Sequence, residues 1–236
     1  MNKFWNWSVC NNADEAEEIR QERVLSLDGV IAEESWFEDE VTPKVFSEEL
    51  NSDGGDVTVR INSPGGDVFA AAQIYNMLRE YSRNKGKVTV KIDSLAASAA
   101  SVIAMAGDEV LMSPVSMLMI HNPSTIAAGE RRDMEQAINM LDAVKNSIIE
   151  AYRKKTGISE KALSDMMNDE TWMNANMAIK KHFADGYIGE KSPAENAVMF
   201  ARVPFMKKVT AQIGTQNKAI PADELYSRLH KLKSNF

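Results

Sequence analysis

The sequence predicts an α/β domain built from repeated βαβ crossovers, and two observations carry this expectation. Short β-branched or apolar runs at 57–61, 88–92 and 109–112 alternate with stretches whose apolar residues recur at the helical period. Turn residues stand between them: Asp28 with Gly29, Asp53 with Gly54 and Gly55, and Gly107 with Asp108. No internal repeat is visible.

Taken in order, residues 11–23 are densely charged and suit a mobile segment or a short helix, and 24–27 make a first strand that ends at the turn of Asp28 and Gly29. Over 35–50, Phe37, Val41, Val45, Phe46 and Leu50 lie near a 3.6-residue period, the mark of a helix. The alternation of 57–61 is a strand; Asn62, Ser63, Pro64, Gly65, Gly66 and Asp67 follow as a glycine-rich turn. That turn opens a helix over 68–82 with Val68, Ala71, Ala72, Tyr75 and Leu78 on one face. Strand 88–92 leads to a turn at Ser98, and the small, largely apolar residues of 98–106 suit a buried helix. Strands follow at 109–112 and 116–120. A long helix covers about 130–155, its stripe formed by Met134, Ala137, Ile138, Leu141, Val144, Ile148 and Ile149. Thr156 and Gly157 end it, and Ser159 caps the next helix. After about residue 190 the pattern weakens: 207–218 are polar and 221–233 read as a short basic helix. The expected organisation is therefore a charged segment at 1–23, one domain over 24–190 and a polar, basic extension over 191–236.

Composition narrows the function classes. With 44% hydrophobic and 26% charged residues the chain has the make-up of an ordinary soluble globular protein. A net charge of −7 argues against a nucleic-acid-binding surface. No apolar run approaches the roughly 20 residues that span a bilayer, and the N-terminal Phe4, Trp5 and Trp7 make no secretory h-region. Cys10 is the single cysteine, which excludes an internal disulfide and a multi-cysteine metal site and suits a reducing, cytoplasmic setting. The 14 methionines are by default core and interface filler.

The chemistry-bearing residues lie in the middle of the chain. Ser98 sits among alanines in a tight turn, and His121 stands at the end of an apolar strand just before Asn122 and Pro123. A serine becomes a nucleophile only beside a base that takes its proton. Separately, each has a plainer reading: Ser98 as a packing or capping residue, His121 as a core histidine bonded to backbone. Strand ends, however, are where α/β folds present functional groups. His182 and His230 lie in polar, basic surroundings and read as solvent-exposed, so His121 is the candidate base. Gly65 and Gly66 bring bare backbone close to whatever lies above the next strand, and such N–H groups can hold an oxyanion, although a plain strand-to-helix turn would need them equally.

Three blocks in this order, Asn62 to Gly66, Leu95 to Ala99 and Met119 to Pro123, resemble the Clp protease proteolytic-subunit family, the caseinolytic serine peptidases; the likeness runs from about Glu22 to Gly186. The resemblance implies a crotonase-like spiral of βαβ units with a protruding, helix-containing handle. It implies Ser98 as nucleophile, His121 as general base, and the backbone N–H groups of Gly65 and Ala99 as the oxyanion hole. It implies no metal and no organic cofactor. Aligned from Thr156 and Gly157, the family's third catalytic carboxylate falls on Glu170, with Asp169 as the alternative. Three positions depart from the family pattern: Ser94 and Leu95 replace a glycine–glutamine pair, and Ala100 replaces a glycine.

The block of Glu170, Thr171 and Trp172, with the extension after residue 190, is most similar to the Clp-related head maturation proteases of phages and prophages, which process capsid or scaffold proteins. By resemblance the partners are a polypeptide substrate and further copies of the chain, as heptameric rings stacked into a tetradecamer. An AAA+ unfoldase is a further possible partner, with no nucleic acid, no membrane and a cytoplasmic location. The alternatives are a general proteolytic subunit fed by an ATP-dependent unfoldase, an acyl-CoA enzyme of the same fold, and an inactive assembly subunit.

Overall fold

The computed structural model describes residues 8–12, 20–33 and 41–189, all within the first of two units into which the chain divides, Met1–Pro193. The first half of the helix expected from residue 35, the extension over 191–236 and His230 lie outside the described residues.

Strands β1 (Ser8–Asn12) and β2 (Arg20–Ile31) pair antiparallel, so the described ends of the charged N-terminal stretch, 11–12 and 20–23, are strand. Helix α1 (Pro43–Leu50) then leads to β3 (Val57–Gly66), α2 (Val68–Asn84), β4 (Val88–Ala97), α3 (Ala99–Ala104) and β5 (Glu109–Met112). β2, β3, β4 and β5 are neighbours in that order and all parallel. Each new strand is added on the same side of the last. Right-handed crossovers then put successive helices on one face of the sheet, and this is the predicted spiral of βαβ units.

The register explains the core. Leu25, Val59, Val90 and Val110 form one row across the four strands, and Leu27, Ile61, Ile92 and Met112 the next. All eight are buried under the helices. The alternate residues face the other way, where Arg60 and Asp93 pair at 2.7 Å while both remain partly exposed. α3 is buried along its whole length, as its small residues predict.

Two expected turns are strand instead. β2 runs straight through Asp28 and Gly29 as a bulge, with the register shifting between Asp28 and Val30. β3 continues extended through the glycine-rich segment to Gly66, with Gly65 at φ 98° and Gly66 at φ 146°. Backbone crowding dictates glycine here. A Cβ on Gly66 would lie 2.1 Å from the Ile31 carbonyl oxygen, and one on Gly65 would lie 2.8 Å from the Ser98 Cβ.

β4 is long enough to serve two partners. Its first half, Thr89 to Ile92, pairs β5; its last residues, Leu95 to Ala97, pair β6 (Met117–Ile120). β6 in turn pairs antiparallel with β7 (Thr171–Asn174), which lies between α5 (Glu160–Asn168) and α6 (Ala175–Lys180). The long helix α4 (Arg131–Thr156) is buried only near its C-terminus, at Ile148, Ile149, Ala151, Tyr152 and Thr156. None of its first 17 residues, 131–147, is fully buried, although Leu141 and Val144 are partly covered, and they make the projecting, handle-like element. β8 (Gly186–Tyr187) closes the sheet beside β5. Among the described residues no helix is long and apolar enough to cross a membrane.

Candidate active site

Ser98 is the first residue beyond β4, and His121 the first beyond β6. Because Ala97 stands opposite Met119 and the Ser98 N–H donates to the Met119 carbonyl at 3.0 Å, the two strand ends deliver both side chains to one place. The His121 Nε2 lies 2.7 Å from the Ser98 Oγ. That distance is a full hydrogen bond between a hydroxyl and a ring nitrogen.

Ser98 sits at φ 55° and ψ −124°, a conformation sparsely populated by residues with a Cβ and worth roughly 1–3 kcal/mol of strain. The strand-to-helix change within a single residue pushes the side chain out of the sheet while α3 starts immediately behind it. Ala99 is the first residue of α3, so its N–H is one of the helix's initial donors with no partner within the helix.

The two glycines differ in their surroundings. The Gly65 N–H donates to the Ser63 Oγ at 3.1 Å, and Gly65 is buried against the Ser98 turn. Gly66 is the exposed one, and it lines the cleft with Ser98, Ala99 and His121. Asp67 holds this segment in place: its Oδ1 accepts from the Phe69 and Ala70 N–H groups at 2.8 and 2.7 Å, capping α2.

The cleft has a volume of about 220 Å³. Val68, Val102, Leu141, Val144 and Ile148 give it an apolar wall. His121 lies half-buried at its edge, and burial is the main influence on its ring, holding the pKa below the ordinary histidine value against the opposing charge of Glu170.

Glu170 comes to His121 through β7. Ile120 stands opposite Thr171 in the antiparallel register, so the next pair along is His121 and Glu170. Glu170 is half-buried with φ 47°, and its Oε1 accepts from the Trp172 Nε1–H at 3.1 Å. Asp169 is exposed at the end of α5. His182 lies exposed beyond α6, as its basic neighbours predict. The segment after His121 is braced from two helices: Asn122 Nδ2 and Lys145 Nζ both donate to Asn168 Oδ1, at 3.0 and 2.8 Å.

Three residues beside this cluster have surroundings that the sequence reading does not anticipate. Gly66 is named in the sequence only together with Gly65, and its exposed place on the cleft follows from the segment being strand rather than turn. Trp172 steadies Glu170 from a strand too short to show periodicity. Ser101 is the one polar residue inside the apolar run that forms α3, and that alone could have flagged it.

A family model described as Clp protease matches residues 10–191. Among similar proteins, the ATP-dependent Clp protease proteolytic subunit 1 of Protochlamydia amoebophila is 30% identical over 179 residues, covering 74% of this chain and 84% of its own. The subunit 1 of Chlamydia muridarum is 30% identical over 153 residues, covering 63% of this chain and 78% of its own. The proteolytic subunit of Deinococcus radiodurans is 31% identical over 138 residues, covering 57% and 66%. The parallel spiral agrees with that match, and the chain belongs to the Clp protease family, as a peptidase of the serine hydrolase class.

Proposed function

We propose that this chain is a Clp-type serine endopeptidase whose working groups are Ser98, His121 and Glu170, with the amides of Gly66 and Ala99 as its oxyanion hole. The observation that carries this is the 2.7 Å contact between Ser98 Oγ and His121 Nε2 at a strained strand end. His121 Nε2 removes the Ser98 hydroxyl proton as Oγ adds to the scissile carbonyl. The amides stabilise the negative oxygen that results. His121 then delivers its proton to the leaving amine, and water cleaves the acyl-enzyme by the same steps in reverse roles. Glu170, opposite the ring, stabilises its protonated form. The amide of Gly66 is favoured over that of Gly65 because the latter is committed to Ser63 Oγ. Glu170 is favoured over Asp169 by the β6–β7 register.

The apolar wall of the cleft suits a substrate with an apolar side chain beside the cleaved bond. The projecting half of α4, with Ile138 and Met140 exposed, suits self-association into rings stacked through this helix, on the family's pattern of heptamers paired as a tetradecamer. The similarity of the Glu170 to Trp172 block to phage head maturation proteases supports a capsid or scaffold polypeptide as the natural substrate, in the bacterial cytoplasm. The names of the relatives support the second reading, a subunit fed by an ATP-dependent unfoldase.

Hydrolysis of a fluorogenic peptide with an apolar residue before the reporter tests the assignment. Ser98→Ala and His121→Ala should each lower kcat by on the order of 10⁴ or more while the circular dichroism spectrum holds. Hydrolysis that persists in Ser98→Ala would overturn it. Co-expression with a capsid or scaffold protein, followed by mapping of new termini, separates head maturation from unfoldase-dependent proteolysis.

A further inference from the structure

We propose that Tyr152 and Ser101 are positioning residues for the nucleophile, a buried hydroxyl pair that holds the Ser98 carbonyl and thereby aims the Ala99 amide at the oxyanion. The proposal rests on the reading of Ser98 as nucleophile and adds two residues outside the triad, of which Tyr152 also borders the cleft.

The connections are short. The Ser101 Oγ donates to the Ser98 carbonyl oxygen at 2.6 Å, and the Ser101 N–H donates to the same oxygen at 3.0 Å. The Ser101 Oγ also lies 2.8 Å from the Tyr152 Oη. A serine hydroxyl has one proton, and the Ser98 carbonyl has taken it. The second bond must therefore run from the Tyr152 O–H to the Ser101 Oγ. Burial pushes the Tyr152 phenol well above its ordinary pKa, so it stays a donor throughout the working range. The chain of donors is directional: Tyr152 to Ser101 to Ser98, each bond polarising the next.

The peptide unit between Ser98 and Ala99 is planar. Its carbonyl oxygen and its N–H point in opposite directions from one rigid plate. Fixing the Ser98 oxygen with two donors therefore fixes where the Ala99 N–H points. Ser98 ψ is −124°, outside the wells a serine prefers, so without those donors the plate has reason to rotate.

Packing alone gives no reason for this pair. Ser101 is 0% and Tyr152 1% exposed, within an apolar shell that includes Ala100, Val102, Ile103 and Phe183. Buried hydroxyls cost free energy unless bonded, and replacing both partners by apolar groups of similar shape is close to neutral for folding. The Tyr152 ring also packs edge-on against Phe183, with centroids 5.6 Å apart, a contact that a phenylalanine would keep. The hydroxyls themselves serve the Ser98 plate.

Steady-state kinetics on the full chain with the same fluorogenic peptide test this. Tyr152→Phe and Ser101→Ala should each lower kcat by about five- to tenfold with KM unchanged. The loss arises because a misaimed oxyanion donor weakens the transition state and leaves substrate binding alone. The double variant should lose no more than the weaker single variant, because both act through one oxygen. Oligomeric state should match the unsubstituted protein in Tyr152→Phe and its thermal midpoint should fall by no more than a few degrees, which settles the question if Ser101→Ala proves unstable. Unchanged kcat in Tyr152→Phe, a rise in KM in place of a fall in kcat, or losses that multiply in the double variant would overturn the proposal. If Ser98→Ala keeps its activity, the nucleophile assignment falls and this one with it; if Ser98→Ala is dead and Tyr152→Phe is fully active, this one falls alone.

Discussion

At the scale of single residues, the proposed base His121 sets the expected response of activity to pH. It acts as a base only when neutral, and burial holds its pKa below the ordinary histidine value of about 6.5. The acid limb of kcat/KM should therefore lie below pH 6.5, with activity present above that limb and lost as pH falls through it. Glu170 pushes the other way, favouring the protonated ring. Glu170→Gln should move the limb to still lower pH and reduce kcat by on the order of a hundredfold or more. A pH–rate profile of the two proteins checks both parts, and an unmoved limb would take Glu170 out of the site. Ser98 and His121 are readable in the sequence because each stands at the end of a strand whose apolar run is plain. The choice between Glu170 and Asp169 is not readable there. It depends on the pairing of four-residue β7 with β6, which leaves no periodic trace.

At the scale of elements, most of the fold was legible. Helices α2, α4 and α5 and strands β4, β5 and β6 begin within about two residues of the expected positions, because apolar period, caps and glycine stops agree locally. The misread places are Asp28 with Gly29 and the run from Asn62 to Gly66. Glycine there signals a turn by propensity, but the parallel neighbours β2 and β4 hold the chain extended. Asp108 shows how tightly the helices are tied to this sheet. Burial alone would raise its pKa, but the Val88 N–H at 2.9 Å, the Ser82 hydroxyl at 2.7 Å and the Arg79 guanidinium at 3.0 Å outweigh that and hold it below the usual carboxylate value. Asp108→Ala should cost about 2 kcal/mol, seen as a lower urea midpoint at neutral pH. The difference from the parent should shrink in acid: the carboxylate's contribution is present above its unfolded pKa of about 3.9 and is lost as pH falls through the lower folded value.

At the scale of the whole molecule, α4 is the element through which the proposed assembly would reach the proposed site. The helix is about 39 Å long at 1.5 Å per residue over its 26 residues. Lys155 fastens its C-terminal end by pairing with Asp185 at 2.7 Å, and Tyr152 reaches the nucleophile's turn through Ser101. Its other end presents Ile138, 58% exposed, and Met140, 41% exposed. Such surface on a helix with no fully buried residue over its first four turns is expected to be covered by another copy. Sedimentation velocity should show a large assembly for the full chain and much smaller species for Ile138→Glu, and a monomeric parent would contradict this. The amphipathic stripe of α4 was visible in the sequence. That no residue of its first half is fully buried in the same chain was not, since periodicity marks an apolar face without saying which molecule covers it.

All three scales rest on Ser98 being a nucleophile activated by His121. The direct test is intact-mass analysis of the full chain after exposure to an aryl fluorophosphonate, with peptide mapping of the adduct. One phosphonate per chain, located on Ser98 and absent in both Ser98→Ala and His121→Ala, is the expected result. An adduct on another residue, or undiminished labelling of Ser98→Ala, would contradict it.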